Sequence, residues 1–434
     1  MATSPQPIAT QLQLPCGAVL PNRLCKAAMT EGLADSNNQA TERHATLYRR
    51  WSDGGAGLLL TGNVQVDRRY LERPGNVVIE GPQSKAQRQA LRKWAESGTR
   101  NGNHLWMQIS HAGRQTPAMI TREPVGPSAV PLRLPGGQFG KPRALSSEEI
   151  LALSDKFAHV VTIARETGFT GAQIHSAHGY LLSEFLSPIA NRRDDEWGGS
   201  LENRTRALLH VFRACRDAAG PDFPLSIKLN SSDFQKGGFT FEECLQVISW
   251  LNAEGVDLLE ISGGNYEQPR MMGLEGIEPV FEHGEQSSTQ RREAFFLNLA
   301  ARIQQVAKMP VMVTGGFRTR AAMNQAVQSG EADMIGIARP LCVEADALTG
   351  LLSGARDALR SWEKEKRLGP GILGPNSPIA LLKALNGFGM QAWFYLQLFR
   401  LADGQSAKTD MALLPAFLKY QSMEQKAARA LTPR

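Results

Sequence analysis

One junction recurs four times along this 434-residue chain: a helical stretch, a glycine that stops it, and a short apolar run. It reads Gly54-Gly-Ala-Gly-Leu-Leu-Leu, Gly168-Phe-Thr-Gly-Ala-Gln-Ile, Gly255-Val-Asp-Leu-Leu-Glu-Ile and Gly330-Glu-Ala-Asp-Met-Ile-Gly-Ile. Glycine closes helices because it takes the left-handed conformation without a Cβ penalty. The runs that follow are continuously apolar rather than alternating, as expected of strands covered on both faces. Such strands, separated by helices, build a parallel sheet. Few architectures satisfy that demand.

Eight strands of this kind are legible, at residues 24–29, 56–61, 104–109, 172–174, 225–229, 258–261, 311–313 and 334–337. Between them lie helical signals. Ser146-x-x-Glu149 and Thr240-x-x-Glu243 are capping boxes. Leu208, Val211, Phe212 and Cys215 give residues 201–219 a helical period. Leu91 and Trp94 mark a helix ending near residue 100, and further helices are expected over about 41–53, 291–308 and 319–330. Eight strand–helix units predict a (β/α)₈ TIM barrel with elaborated loops. A doubly wound sheet is the runner-up, but no G-x-G-x-x-G follows a strand. The reading assigns residues 1–345 to the barrel and 346–434 to a helical C-terminal extension.

Composition narrows the function. A formal net charge of +6 without Lys/Arg clusters interleaved with aromatics argues against nucleic-acid binding. The five cysteines are dispersed and form no C-x-x-C, so neither a metal site nor a disulfide framework is expected, and a reducing cytoplasmic setting fits. The N-terminus has no secretory-signal pattern, and no stretch is apolar enough to span a bilayer.

Barrel enzymes work at the C-terminal ends of their strands. That rule nominates Met29 and Thr30; Thr61 and Asn63; Gln108, Ser110 and His111; His175, His178 and Tyr180; Lys228 and Asn230; Ser262-Gly263-Gly264; Thr314, Gly315 and Gly316; and Ala338 with Arg339. The glycine turn and arginine at the last two strands suit a phosphate. Two imidazoles and a phenol within six residues suit ligand chemistry as well as packing. Lys228 reads either as a Schiff-base nucleophile or as a fixed cation. Asp233 and Asp257 read as turn residues, and residues 191–199 as a surface loop.

The stretch His175-x-x-His-Gly-Tyr-Leu-x-x-x-Phe-Leu-Ser-Pro-x-x-Asn-Arg-Arg-x-Asp-x-Trp-Gly-Gly-Ser-x-Glu-Asn-Arg204 resembles the signature of the Old Yellow Enzyme family of FMN-dependent oxidoreductases. The segments beginning at Met107 (MQISHAGR) and Asp333 (DMIGIARP) agree with it, in order. The resemblance runs over about residues 20–341. It implies an FMN site in which Ala28, Met29 and Thr30 follow the flavin ring and Asn63 and Gln108 face it. Lys228 would stand beside N1 and O2, and Gly315, Gly316, Ala338 and Arg339 would hold the phosphate. It further implies that His175 and His178 grip an activated carbonyl oxygen and Tyr180 supplies a proton. NADH or NADPH would be the hydride donor, and an α,β-unsaturated carbonyl compound, nitroalkene or quinone the acceptor.

Ala28 and Lys228 replace the proline and arginine of many members. The cysteine cluster and further dinucleotide domain of the larger relatives have no counterpart here, so electrons are expected directly from the nicotinamide. Rival readings are a flavin-free aldolase or lyase using Lys228, and a flavin- or ligand-binding protein without turnover. Beyond residue 345, Phe388, Met390, Trp393, Phe394, Tyr395, Leu396 and Phe399 predict a helix at 382–400 that must bury an aromatic face. The barrel itself or a second subunit is the expected cover, and a membrane surface is the alternative. Substrate choice is expected to lie in residues 116–143 and 263–285.

Overall fold

The computed structural model describes residues 6–132, 134, 137–263 and 299–432. Eight strands form its centre: β1 (Leu24–Lys26), β2 (Leu58–Leu60), β3 (His104–Ser110), β4 (Gly171–Ser176), β5 (Leu225–Asn230), β6 (Leu258–Ser262), β7 (Val311–Thr314) and β8 (Met334–Ile337). Each pairs in parallel with the next, and β8 returns to β1 with Ile335 opposite Leu24 and Ile337 opposite Lys26. The sheet is a closed barrel, which leaves none of the eight an unpaired edge.

Every expected strand is present, with shifted ends. The first stops at Lys26 instead of Met29, where the chain bends away to form the rim; Ala27 N–H still donates to Ile337 O at 2.8 Å. Side chains alternate along the strands. Cys25, Leu58, Leu60, Trp106, Leu258, Met312 and Met334 cluster inside the barrel. Their neighbours, such as Leu24, Leu59, Leu105 and Leu259, pack outward against the helices. A short hairpin (Leu12–Gln13 with Val19–Leu20) supplies Leu12, Leu14 and Leu20 to the inner cluster and so plugs the N-terminal end.

The helices longer than one turn that are described from end to end are α1 (Glu42–Asp53), α2 (Lys85–Gly98), α3 (Ser147–Glu166), α4 (Leu181–Leu186), α5 (Leu201–Ala219), α6 (Phe241–Leu251), α7 (Arg320–Gln328), α8 (Ala347–Ser353), α9 (Ala380–Ala402) and α10 (Leu413–Ala430). Both capping boxes form as read. Gly168, Gly255 and Gly330 take left-handed φ values of 90°, 75° and 73°. In the first junction it is Gly55 (φ 91°) that turns, whereas Gly54 stays right-handed. Residues 299–304 are helical; the start of the helix expected from residue 291, Gly264 and the rest of the 264–285 loop lie outside the described residues.

The C-terminal segment covers one flank. α9 packs on α1 and on the turn at Arg339–Cys342. Residues 403–412 double back along α9, pinned where Gln397 Nε2 donates to Lys408 O and Trp393 Nε1 to Met411 O. This return lets α10 run parallel to α9, with Leu413 against Gly389 and Tyr420 stacked on Tyr395. Arg73, in the loop after β2, is buried between them. It donates to Glu424 at 2.6 and 3.2 Å and lies 4.1 Å over the Tyr395 ring.

Candidate active site

The C-terminal ends of the strands carry a band of polar side chains in an otherwise apolar interior. Gln108 Nε2 on β3 donates to Gln173 Oε1 on β4 at 2.7 Å. Gln173 Nε2 donates to Glu260 Oε2 on β6 at 2.9 Å. Glu260 Oε1 lies 2.9 Å from Lys228 Nζ on β5, with both side chains buried. Four strands thus contribute to one connected layer, as inward residues do in a closed barrel. Because Lys228 Nζ is engaged by that carboxylate, it is not presented as a free nucleophile, which disfavours a Schiff-base role.

Above this layer His175, His178 and Tyr180 meet edge to face. The His175 ring centroid is 5.1 Å from that of His178 and 4.8 Å from that of Tyr180. The backbone N–H of Ala177 donates to His175 Nδ1, so the ring proton sits on Nε2. His178 occupies a left-handed conformation (φ 63°), secured by its N–H donating to Asn230 Oδ1 and by Gln115 Nε2 donating to its carbonyl. Its Nε2 is paired with Ser262 Oγ at 2.6 Å. Burial, reinforced by the nearby Lys228 charge, holds both imidazoles well below their ordinary pKa. They are neutral at physiological pH. Tyr180 is buried where α4 begins.

On the β1–β2 side, Thr30 Oγ1 and Asn63 Nδ2 both donate to Glu72 Oε2, at 2.6 and 2.8 Å. Met29 Sδ lies 3.4 Å from Cys342 Sγ, and Ala28 packs against the inner cluster. At β7 and β8, Gly315 and Gly316 have φ values of 113° and 81°, conformations closed to most side chains. Thr314 sits so close to Gly336 that a Cβ there would lie 2.0 Å from Thr314 Oγ1. Ala338 precedes Arg339, whose Nη1 is 3.8 Å from Glu363, a carboxylate shared with Arg318.

Other nominees have structural duties. Thr61 Oγ1 accepts from Gln108 N–H and ties β2 to β3. His111 turns away onto Tyr70, ring centroids 5.1 Å apart, and its Nδ1 accepts from Gly113 N–H. Asp233 is buried and binds Ser187 Oγ and Phe239 N–H, which fixes its loop. Asp257 accepts from Cys16, Leu225 and Arg216 at the N-terminal end of the barrel, at the opposite end of its strand from the C-terminal rim. The 191–199 loop is held internally: Asn191 Nδ2 reaches Phe185 O and Trp197 O, and Arg193 reaches Pro127 O and Leu145 O. Glu260, Gln173 and Glu72 escaped the sequence reading. A glutamate inside the apolar run LLEIS was a signal for the first; nothing in the loop pattern marked Glu72.

An FMN-sized group with a polar ring edge and a phosphate suits these residues. Among the described residues, Asn63 Oδ1, Ser110 Oγ and Thr314 Oγ1 are buried at strand ends with no hydrogen-bond partner. Buried polar atoms of that kind call for one. A buried cation, two glutamines and the glycine turn at Gly315–Gly316 complete the donor set. A parallel barrel with this rim defines the class of flavin-dependent barrel oxidoreductases. Residues 15–357 match the sequence profile described as the NADH:flavin oxidoreductase / NADH oxidase family, and the chain belongs to it.

The chain is 34% identical over 349 residues to the NADH-dependent flavin oxidoreductase iliE of Hypocrea jecorina, covering 76% of this chain and 85% of that one. It is 35% identical over 348 residues to its namesake from Neonectria, covering 76% of this chain but only 45% of the relative. Among solved structures, the 2-naphthoyl-CoA reductase complex superposes with a TM-score of 0.71 at 25% identity, over 80% of this chain and 52% of that one. The Old Yellow Enzyme homologue of Zymomonas mobilis superposes at 0.66 and 24%, over 84% and 97%, and supports the fold.

Proposed function

We propose that the chain passes hydride from NADH or NADPH, by way of bound FMN, to the activated C=C bond of an α,β-unsaturated carbonyl compound. The observation that carries this reading is a pair of neutral, buried histidines in contact with a buried tyrosine at the barrel mouth. FMN, when bound, would supply the two-electron chemistry that links the nicotinamide to the alkene.

Gln108 and Lys228 would face the pyrimidine end of the flavin, where Lys228 offsets negative charge gathered on reduction. Ala28, Met29, Thr30 and Asn63 would line the ring, and Gly315, Gly316, Ala338 and Arg339 would hold the phosphate. His175 donates its Nε2–H to the substrate oxygen, and His178, oriented by Ser262, stands beside it. Hydrogen bonds to that oxygen strengthen as enolate charge develops, so they stabilise the transition state more than the ground state. Tyr180 gives its phenolic proton to the carbon α to the carbonyl.

The test is Tyr180→Phe, with each half-reaction followed in stopped flow under anaerobic conditions. Enone reduction is expected to slow by roughly 10²–10⁴, while reduction of the bound flavin by NADH stays near the wild-type rate. Equal losses in both halves would remove Tyr180 from the donor role. Protein purified without flavin and unable to bind added FMN would overturn the reading as a whole.

A further inference from the structure

The outer surface of the C-terminal helices differs from the rest of the molecule. Among the described residues eleven large apolar side chains are exposed, and eight of them fall between Ile372 and Met423. Leu381 is 67% exposed, Leu418 59% and Ile372 55%. All but Met423 fall in or just before the first half of α9 or of α10. Asn386 Nδ2 on α9 donates to Leu373 O and Gly374 O, fastening that turn to the helix. Leu413 lies against Gly389, which brings Phe388 and Leu414 together. The inner faces of both helices are already occupied by Trp393, Tyr395, Tyr420 and the Arg73–Glu424 pair. Leu381, Phe388, Leu414 and Leu418 precede this covered stretch of each helix and stay exposed.

Charge identifies the cover. Residues 364–434 hold ten Lys and Arg against four Asp and Glu, a net +6 that equals the formal excess of the whole chain. Two of those acids, Asp403 and Glu424, are spent on Arg43 and Arg73 of the barrel. On α10 the exposed positions include Lys419, Lys426 and Arg429 beside Leu414 and Leu418. Cations flanking leucines on one exposed helical face are the pattern of a helix lying in a membrane interface. Two copies meeting through this face would set like charge against like charge. No described helix is long and apolar enough to cross a bilayer, so the contact is peripheral.

We infer that the exposed apolar residues at the start of α9 and of α10 dock on an anionic lipid bilayer. Leu381, Phe388, Leu414 and Leu418 enter the boundary between headgroups and acyl chains, and Lys419, Lys426 and Arg429 meet the headgroups. Hydrophobic area and headgroup attraction add in such contacts, so binding needs both.

The test is co-sedimentation of the full-length holoprotein with vesicles of phosphatidylcholine alone or mixed with phosphatidylserine. Binding is expected to the mixed vesicles, to weaken as salt is raised, and to be absent or much weaker on phosphatidylcholine. The double variant Leu414→Ser, Leu418→Ser should lose roughly tenfold or more in partitioning, with unchanged flavin content and circular dichroism. Lys419→Glu with Lys426→Glu should lose binding in the same way without altering the apolar face. Failure of the wild-type protein to bind phosphatidylserine vesicles at low salt would overturn the inference, as would binding that ignores both variants. A concentration-dependent dimer that the serine variant converts to monomer, without vesicle binding, would overturn it in favour of self-association.

Discussion

Lys228 and Glu260 carry opposite charges in a barrel interior from which water is excluded. A buried pair of this kind contributes little net stability against an apolar alternative, but breaking it leaves an uncompensated charge. Lys228→Met should therefore destabilise the protein by about 3–5 kcal/mol. The double change Lys228→Met, Glu260→Met should recover most of that loss, as read from urea midpoints. If the double variant is no more stable than the single one, Glu260 is not answering to Lys228. Site residues were legible where one rule sufficed: strand ends nominated His175, Tyr180 and Lys228. Glu260 and Gln173 were not, because they matter only once closure brings β3, β4, β5 and β6 into one ring. Glu72 is a loop residue that gains its role from Thr30 and Asn63 on two other segments. No local pattern encodes that convergence.

At the scale of elements, stop glycines marked four of the barrel strands and continuous apolar runs the other four, since both faces of each strand are covered. The hairpin that plugs the barrel has two residues per strand, too few to display a period. The six-residue α4 is equally short, and its burial hides any amphipathic face. The return segment 403–412 is another such case, a polar stretch whose order comes from Gln397 and Trp393 on α9. Its partner α10 is fastened to the barrel chiefly through Glu424 on Arg73. Glu424→Ala should loosen that helix and expose residues 403–412 to protease, because local opening governs cleavage. Limited proteolysis at fixed protease concentration is expected to cut the variant there several-fold faster than the wild-type chain. Equal cutting rates would show that the aromatic stack alone holds α10.

For the whole molecule, buried neutral histidines set the response to acid. Burial, with Arg43 adding to it, lowers the His44 pKa to about 3, and burial lowers that of His111 to about 4, from an ordinary 6.5. Between pH 6.5 and those values the unfolded chain binds more protons than the folded one, so stability falls as pH falls through that window. Above pH 6.5 these groups contribute no slope. Together they cost on the order of 3 kcal/mol between pH 6.5 and 5. The urea midpoint at pH 5 should lie well below that at pH 7, with a shallower drop in His111→Asn. A midpoint that does not move with pH would contradict the assignment.

The clasp between Arg73 and Glu424 joins positions 351 residues apart, and that separation has a consequence during synthesis. Ribosomes add roughly 5–20 residues per second, so Arg73 emerges about 20–70 seconds before its carboxylate exists. Throughout that interval the adjoining Glu72, which bridges Thr30 and Asn63, sits in a loop without its final support. We expect the flavin site to be the last part of the barrel to mature. Stalled nascent chains ending before α10 should capture FMN less tightly than chains extended through it, as read by quenching of flavin fluorescence. Indistinguishable capture would mean that the pocket ripens without its latecomer.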